Sequence, residues 1–279
     1  MRVPRVVVPG VEAAGSTLCL PPAEAIHVAI VLRRRPGDRL VLVSEAGAAY
    51  EAEIVSVERA RSGVRVEVSL IGPPPEPMPP LVPWTVAAAP GRGERFEIAV
   101  EAAGELGLAR VILVETERSV LRLKEGSPKL ARWRRIARES AKQSGRAPPL
   151  AIDGPVGLDD LLARWRSIAG EGLRVSGGAA PAGWALAPGA PLAAGFVRLW
   201  LAKTPGRGPL AAPALFLVGP EGGLSPDEIS RARAAGLEPL GFPVPVLRTS
   251  TAVLFVGALA VLARALGEGR RDPDGAGGG

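Results

Sequence analysis

The chain has 279 residues, 47% of them hydrophobic, with one cysteine, one histidine and a formal net charge of +6 from 34 basic and 28 acidic residues. That length and apolar content suffice for two modest cores, while a lone Cys19 and a lone His27 exclude an intrachain disulfide, a multi-cysteine or histidine-rich metal site and a paired-histidine relay. The basic balance favours an anionic partner such as nucleic acid, although 30 of the 34 basic residues are arginine, a bias that GC-rich coding produces with no function attached.

Taken in chain order, the N-terminal MRVPRVVVPGVEAAG has no long apolar core and reads as no signal peptide. A helical stretch is expected near Pro22 to Leu32. Three β-rich segments follow at Arg39 to Ser44, Tyr50 to Val57 and Val64 to Leu70, separated by Pro36-Gly37-Asp38 and Ser62-Gly63. Together they predict a small β-barrel over residues 1–72. Seven of the thirteen residues from Ile71 to Pro83 are proline, which reads as an extended linker.

Beyond the linker the rhythm becomes strand and helix in alternation, an α/β layer. Trp84 to Ala89 and Arg110 to Glu115 read as strands, and Glu94 to Leu106 as a helix that stops at Gly107. Ser127-Pro128 offers an N-cap and a first-turn proline for a helix with Leu130, Trp133, Ala137, Ala141 and Ser144 on one face. Gly170 to Gly195 reads as loops around weak strands. The second domain is placed at 84–266, and 267–279 reads as a disordered tail. The longest apolar run, Ala252 to Ala263, has twelve residues, too few to cross a bilayer and suited to a buried helix. No membrane association and a reducing, cytoplasmic setting are expected.

The chemistry concentrates between Ala214 and Ala265. An apolar strand, Ala214 to Val218, runs into Gly219-Pro220-Glu221-Gly222-Gly223, and Ser225-Pro226-Asp227-Glu228 then forms a capping box with proline at the first helical position. A glycine-rich strand-to-helix turn leaves backbone N–H groups free and lets a ligand approach the main chain. It matches neither phosphate-loop pattern, and Glu221 would repel phosphate, so a ligand without phosphates is expected. A second loop, Leu240-Gly241 through Val246-Leu247-Arg248-Thr249, ends in a lone arginine at the start of the apolar helix, where Thr249 or Ser250 can cap.

These residues resemble a family signature. Gly219 to Ser225, Leu240-Gly241, Val246 to Thr249 and Thr251-Ala252 are similar to the signature of the ribosomal RNA small subunit methyltransferase E family, 16S rRNA uridine-N3 methyltransferases of the SPOUT class. Three further blocks occur in the matching order: His27 to Arg33 with Pro36-Gly37-Asp38, Glu105-Leu106-Gly107 with Glu115 to Ser119, and Arg132 to Ile136 with Gln143 to Arg146. The resemblance implies a SPOUT-type trefoil-knotted α/β domain preceded by a small PUA-like β-barrel that binds RNA, an exception to the rule that chains do not knot. It also implies a homodimer acting on 16S rRNA of the small ribosomal subunit.

By the same resemblance, Gly219, Pro220, Glu221, Gly222, Gly223, Leu240, Gly241, Val246, Leu247, Arg248 and Thr249 hold S-adenosylmethionine, with no metal. Uridine N3 must lose its proton to become a nucleophile, so a proton acceptor and a cation near the uracil oxygens are needed. Glu221 and Arg248 are the candidates, and Arg33, Arg118 and Arg146 are candidate RNA contacts. The chain departs from the family pattern at Ser250, where a carboxylate is usual, at Ala102 in place of lysine, and at Lys142 in place of a carboxylate. These departures leave room for a non-catalytic RNA-binding or ribosome-assembly paralogue, or for a SPOUT methyltransferase with another RNA target.

Overall fold

The computed structural model describes residues 3–10, 15–44, 48–61, 63–75, 81–91, 95–146, 148–165, 182–192, 214–242, 244 and 246–268. The chain divides into two compact units, one comprising Met1–Leu81 with Arg138–Pro149, the other Val82–Ala137 with Leu150–Gly279.

In the first unit, strands β1 (Arg5–Val8), β2 (Thr17–Cys19), β3 (Arg39–Ser44), β4 (Ala49–Ala60) and β5 (Gly63–Gly72) form one mixed sheet in the order β1-β3-β4-β5-β2. The alternation that predicts β3, β4 and β5 is what buries one face. Leu40, Leu42, Ala52, Ile54, Val66, Val68 and Leu70 point into a single cluster with Ala25, Val28 and Ala29. Those last three come from helix α1 (Pro22–Ile26), which widens into a π-turn over His27–Val31. Arg33 then takes a left-handed φ of 53° at its end. Strands β1 and β2 lack the length and alternation of the others, and sequence pattern passed over them. Strand β5 runs on to Gly72, two residues into the segment expected as linker.

The second unit is a six-stranded, all-parallel sheet: β6 (Val82–Ala88), β7 (Leu108–Glu115), β8 (Ala151–Gly157), β9 (Ala182–Leu186), β10 (Ala214–Val218) and β11 (Leu237–Leu240), in the order β11-β9-β10-β6-β7-β8. The fold is therefore mixed α/β. Parallel strands are covered on both faces, and two separate clusters show it. On one face α2 (Arg95–Leu106), the start of α3 (Pro128–Ser144) and α6 (Thr249–Glu268) bury Phe96, Trp133 and Val253 against Trp84, Trp184 and Phe216. On the other face α4 (described over residues 158–165) and α5 (Pro226–Ala234) bury Leu161, Trp165 and Ala232 against Leu215 and Leu217.

The linker boundary needs correction. Val82 and Pro83 open the interior strand β6. Proline is tolerated there because the ladder with β10 begins only at Trp84 and the ladder with β7 is irregular between Val82 and Thr85. Helix α6 begins at Thr249 and reaches Glu268, so Gly267 and Glu268, expected in the tail, are helical, and residues 269–279 lie outside the described residues. Of the Gly170 to Gly195 stretch, only 182–192 is described, and it contributes β9. Among the described residues no helix is long and apolar enough to cross a membrane, and no cluster of three metal-ligating side chains occurs.

Candidate active site

Ligands of open parallel sheets bind beyond the carboxyl ends of the strands, and the glycine-rich turn sits there. Strand β10 ends at Val218 and the chain turns through Gly219–Gly223, closed by a hydrogen bond from the Gly223 amide to the Pro220 carbonyl (2.8 Å), with Gly223 at φ +69°. The capping box forms as expected. The Ser225 hydroxyl accepts from the Glu228 amide (3.2 Å), and the Glu228 carboxylate accepts from the Ser225 amide (2.8 Å).

Two glycines are fixed here by close approach. A Cβ on Gly219 would lie 2.9 Å from the Leu224 amide nitrogen, and one on Gly241 would lie 1.7 Å from the Ala190 carbonyl oxygen. The turn after β10 is therefore tight on itself, and the loop after β11 packs main chain to main chain on the loop after β9. The Gly241 amide donates to the Pro191 carbonyl (3.1 Å) and the Ala187 amide to the Leu240 carbonyl (3.1 Å). The Thr249 hydroxyl closes the arrangement by donating to the Gly219 carbonyl (2.8 Å), which ties the first turn of α6 to the glycine-rich turn.

Between these loops lies a cavity of about 360 Å³, within the range of small-molecule sites. Gly219, Pro220, Glu221, Gly222, Gly223, Leu240, Gly241, Val246 and Leu247 all line it, nine positions that sequence reading had assigned to a ligand. Leu186, the last residue of β9, and Ala187 and Pro188 just after it also line the wall, and sequence reading missed them. Their only signal is an apolar strand breaking at Pro188-Gly189, which resembles every other turn in this proline-rich chain. Arg248 and Thr249 do not line this cavity. They face a second one of about 300 Å³ with Gly91, Arg95, Phe96 and Ser250, and Glu221 borders both.

The glycine-rich turn is braced from behind by the segment after β7. The exposed Arg118 guanidinium donates to the Gly222 carbonyl (2.8 Å). The Glu117 amide donates to the second carboxylate oxygen of Glu228 (2.7 Å), whose side chain is buried with 1% exposure. A buried carboxylate needs such donors. Thr116 and Ser119 hold the segment in shape, with the Ser119 hydroxyl accepting from the Thr116 amide (2.9 Å).

The other assigned residues are elsewhere. Arg33 is exposed and Arg146 is buried, both in the first unit. The departure at Lys142 is met locally, because its ammonium pairs with the buried Glu24 carboxylate and with Glu139 (3.0 Å) in the same unit or helix. Ala102 is half-buried in α2, away from both cavities.

A family model for an RNA methyltransferase domain matches residues 77–188 and 189–261. The chain is 32% identical over 245 residues to a ribosomal RNA small subunit methyltransferase E of Mycobacterium bovis, covering 86% of this chain and 84% of that one. A methyltransferase of Legionella pneumophila, solved with bound S-adenosylmethionine, superposes with a TM-score of 0.71 at 25% identity over 94% of this chain and 98% of that one. A ribosomal RNA small subunit methyltransferase E of Neisseria gonorrhoeae bound to S-adenosylmethionine shares the fold, with a TM-score of 0.73 at 24% identity over 92% of this chain and 96% of that one.

Proposed function

The chain belongs to the RNA methyltransferase family and, within it, to the ribosomal RNA small subunit methyltransferase E group, and on that premise we propose that it methylates uridine N3 in 16S rRNA of the small ribosomal subunit, with S-adenosylmethionine as donor. The observation that carries this reading is the loop cavity. Glu221 is the only charged residue on its described wall, and glycine main chain, proline, aliphatic side chains and the Phe242 ring supply the rest. Such a wall suits an adenosine and a sulfonium, and the Glu221 carboxylate disfavours a phosphate. When bound, the donor supplies an electrophilic methyl on positively charged sulfur, whose bonding electrons stay on sulfur as the methyl leaves.

The chain's own residues do the rest. Gly219 to Gly223, Leu240, Gly241, Val246 and Leu247 hold the donor through main-chain groups and apolar contact, and Thr249 fixes the turn. Glu221, at the border of the two cavities, faces donor and base together. Arg248, exposed and without a side-chain partner among the described residues, offsets negative charge on the uracil oxygens, a role supported by its position on the second cavity's wall. Arg33 and Arg118, both exposed, and Arg146 contribute to RNA binding.

Residues 1–72, within the first unit, act as the PUA-like RNA-binding barrel, a reading supported by their mixed sheet with bulges in the β4–β5 ladder. A trefoil knot in residues 84–266 is supported by the passage of the chain from the α5 face to the α6 face between Leu240 and Thr249, packed tightly on the 187–191 loop. A homodimer is supported by the exposed apolar side chains Ile98, Val246 and Leu262. The chain works in the cytoplasm, where small subunits are assembled, and needs no metal.

The test is transfer of labelled methyl to small subunits by the wild-type chain and by Arg248→Ala. The variant is expected to bind donor normally and to lose roughly 10²-fold or more in turnover. Donor binding and turnover that both persist in Arg248→Ala overturn its role.

A further inference from the structure

The second cavity is built by residues that motif reading did not bring together. The Ala89 amide donates to the Val218 carbonyl (3.0 Å), so the chain after β6 runs beside the chain after β10, and Gly91 comes to lie under the Glu221 side chain. A Cβ on Gly91 would sit 2.4 Å and 2.8 Å from the two Glu221 carboxylate oxygens. Glycine at this position leaves a seat that the carboxylate fills. Arg95, at the start of α2, lines the same space as Arg248, which the α6 terminus carries. Arg95 is exposed and has no side-chain partner among the described residues. Beneath them lies the Phe96 ring, 3% exposed and held against Trp133 at 4.9 Å between centroids, which gives the cavity a rigid apolar floor.

We propose that this cavity is the subsite for the base to be methylated, with Arg95 as a second cation beside Arg248 and Gly91 as the seat that aims the Glu221 carboxylate at the ring N–H. The inference rests on the methyl-transfer reading and deepens it by naming the pocket and two further residues. A planar imide of about ring size fits a cavity of about 300 Å³ with an apolar floor. Its N–H donates to Glu221 and passes the proton to that carboxylate. The resulting anion carries its charge on the two ring oxygens that flank the nitrogen. Two guanidiniums lining one cavity, Arg95 and Arg248, suit an anion whose charge is shared by two oxygens. The nitrogen electron pair then forms the new N–C bond while the proton stays on Glu221 until it is lost to solvent. A base whose exposed edge lacks an acidic N–H flanked by two oxygens gains nothing from this arrangement, so the site selects uracil over cytosine and adenine.

The experiment uses the full chain, small ribosomal subunits lacking N3-methyluridine, and S-adenosylmethionine binding measured separately by calorimetry. Arg95→Ala is expected to keep donor affinity and melting temperature while kcat falls roughly 10²-fold. The rising limb of its kcat–pH profile should move up by about one unit, because loss of a cation disfavours the imide anion. Arg95→Lys should recover much of both. Gly91→Ala is expected to leave the fold intact, since the displaced atoms end a flexible side chain, and to lower kcat without raising the donor's dissociation constant. Wild-type turnover with an unchanged kcat and pH profile in Arg95→Ala overturns the proposal alone. A wild-type chain that transfers no methyl to RNA overturns the methyl-transfer reading and the proposal with it.

Discussion

At Gly241 the main chain of the loop after β9 passes so close that no side-chain carbon can be accommodated, because the opposing atom is a carbonyl oxygen that the sheet holds in place. Gly241→Ala is therefore expected to destabilise the fold by about 3 kcal/mol, measured by chemical denaturation, whereas Gly91→Ala meets only a movable carboxylate and should cost less than about 1 kcal/mol. Much of the wall of the first cavity was legible because two of its loops are short and contiguous: Gly219 to Gly223 reads as a ligand turn in sequence, and the family resemblance singles out Leu240-Gly241 and Val246-Leu247. Gly91 and Arg95 were not legible. Nothing local marks a glycine whose reason is a carboxylate 130 positions away, and an arginine at a helix start looks like any solvated charge.

Elements were legible where burial has a period. The apolar face of α3, with Leu130, Trp133, Ala137 and Ala141 buried, and the capping box of α5 both formed as their residues predict. The order of the six parallel strands was not legible, since apolar runs such as Ala214 to Val218 carry no record of which neighbour they pair with. Pairing also explains Pro83, which looks like linker in sequence and opens an interior strand. The capping box illustrates the limit well. Ser225 and Glu228 announce a helix start, yet the second oxygen of Glu228 receives the Glu117 amide from the segment after β7. That bond joins two elements that sequence reading treats as separate. Glu228→Ala should keep the Ser225 hydroxyl cap but lose the side-chain half of the box and strand two donors, the Ser225 and Glu117 amides, at a cost of about 3 kcal/mol. Because Arg118 shares the braced segment, the donor's dissociation constant should rise as well, read by calorimetry. A variant that loses stability and binds donor as before would show that the brace serves folding only.

For the whole molecule, charge and apolar surface point to different partners. A net charge of +6 favours RNA, so affinity for small-subunit RNA is expected to fall steeply as salt rises. The exposed Leu262 and Ile98, at 51% and 60%, belong to two of the helices that cover one face of the sheet and would be costly to leave in water. Leu262→Glu is expected to convert a dimer into a monomer in sedimentation velocity without unfolding the chain, and a wild-type chain that sediments as a monomer at micromolar concentration would contradict the dimer. The departures from the family pattern bear on this scale too. Lys142 is accommodated by a pair with Glu24, Ala102 lies away from both cavities, and Ser250 lines the second one. Ser250 is thus the departure placed to alter turnover.

The most direct test of the central claim is incubation of the full chain with labelled S-adenosylmethionine and small ribosomal subunits lacking N3-methyluridine, followed by digestion of the RNA and separation of its nucleosides. The account predicts label in N3-methyluridine and in no other nucleoside. Label in a different nucleoside would contradict the assigned target, and no label while the same preparation binds the donor would contradict catalysis itself.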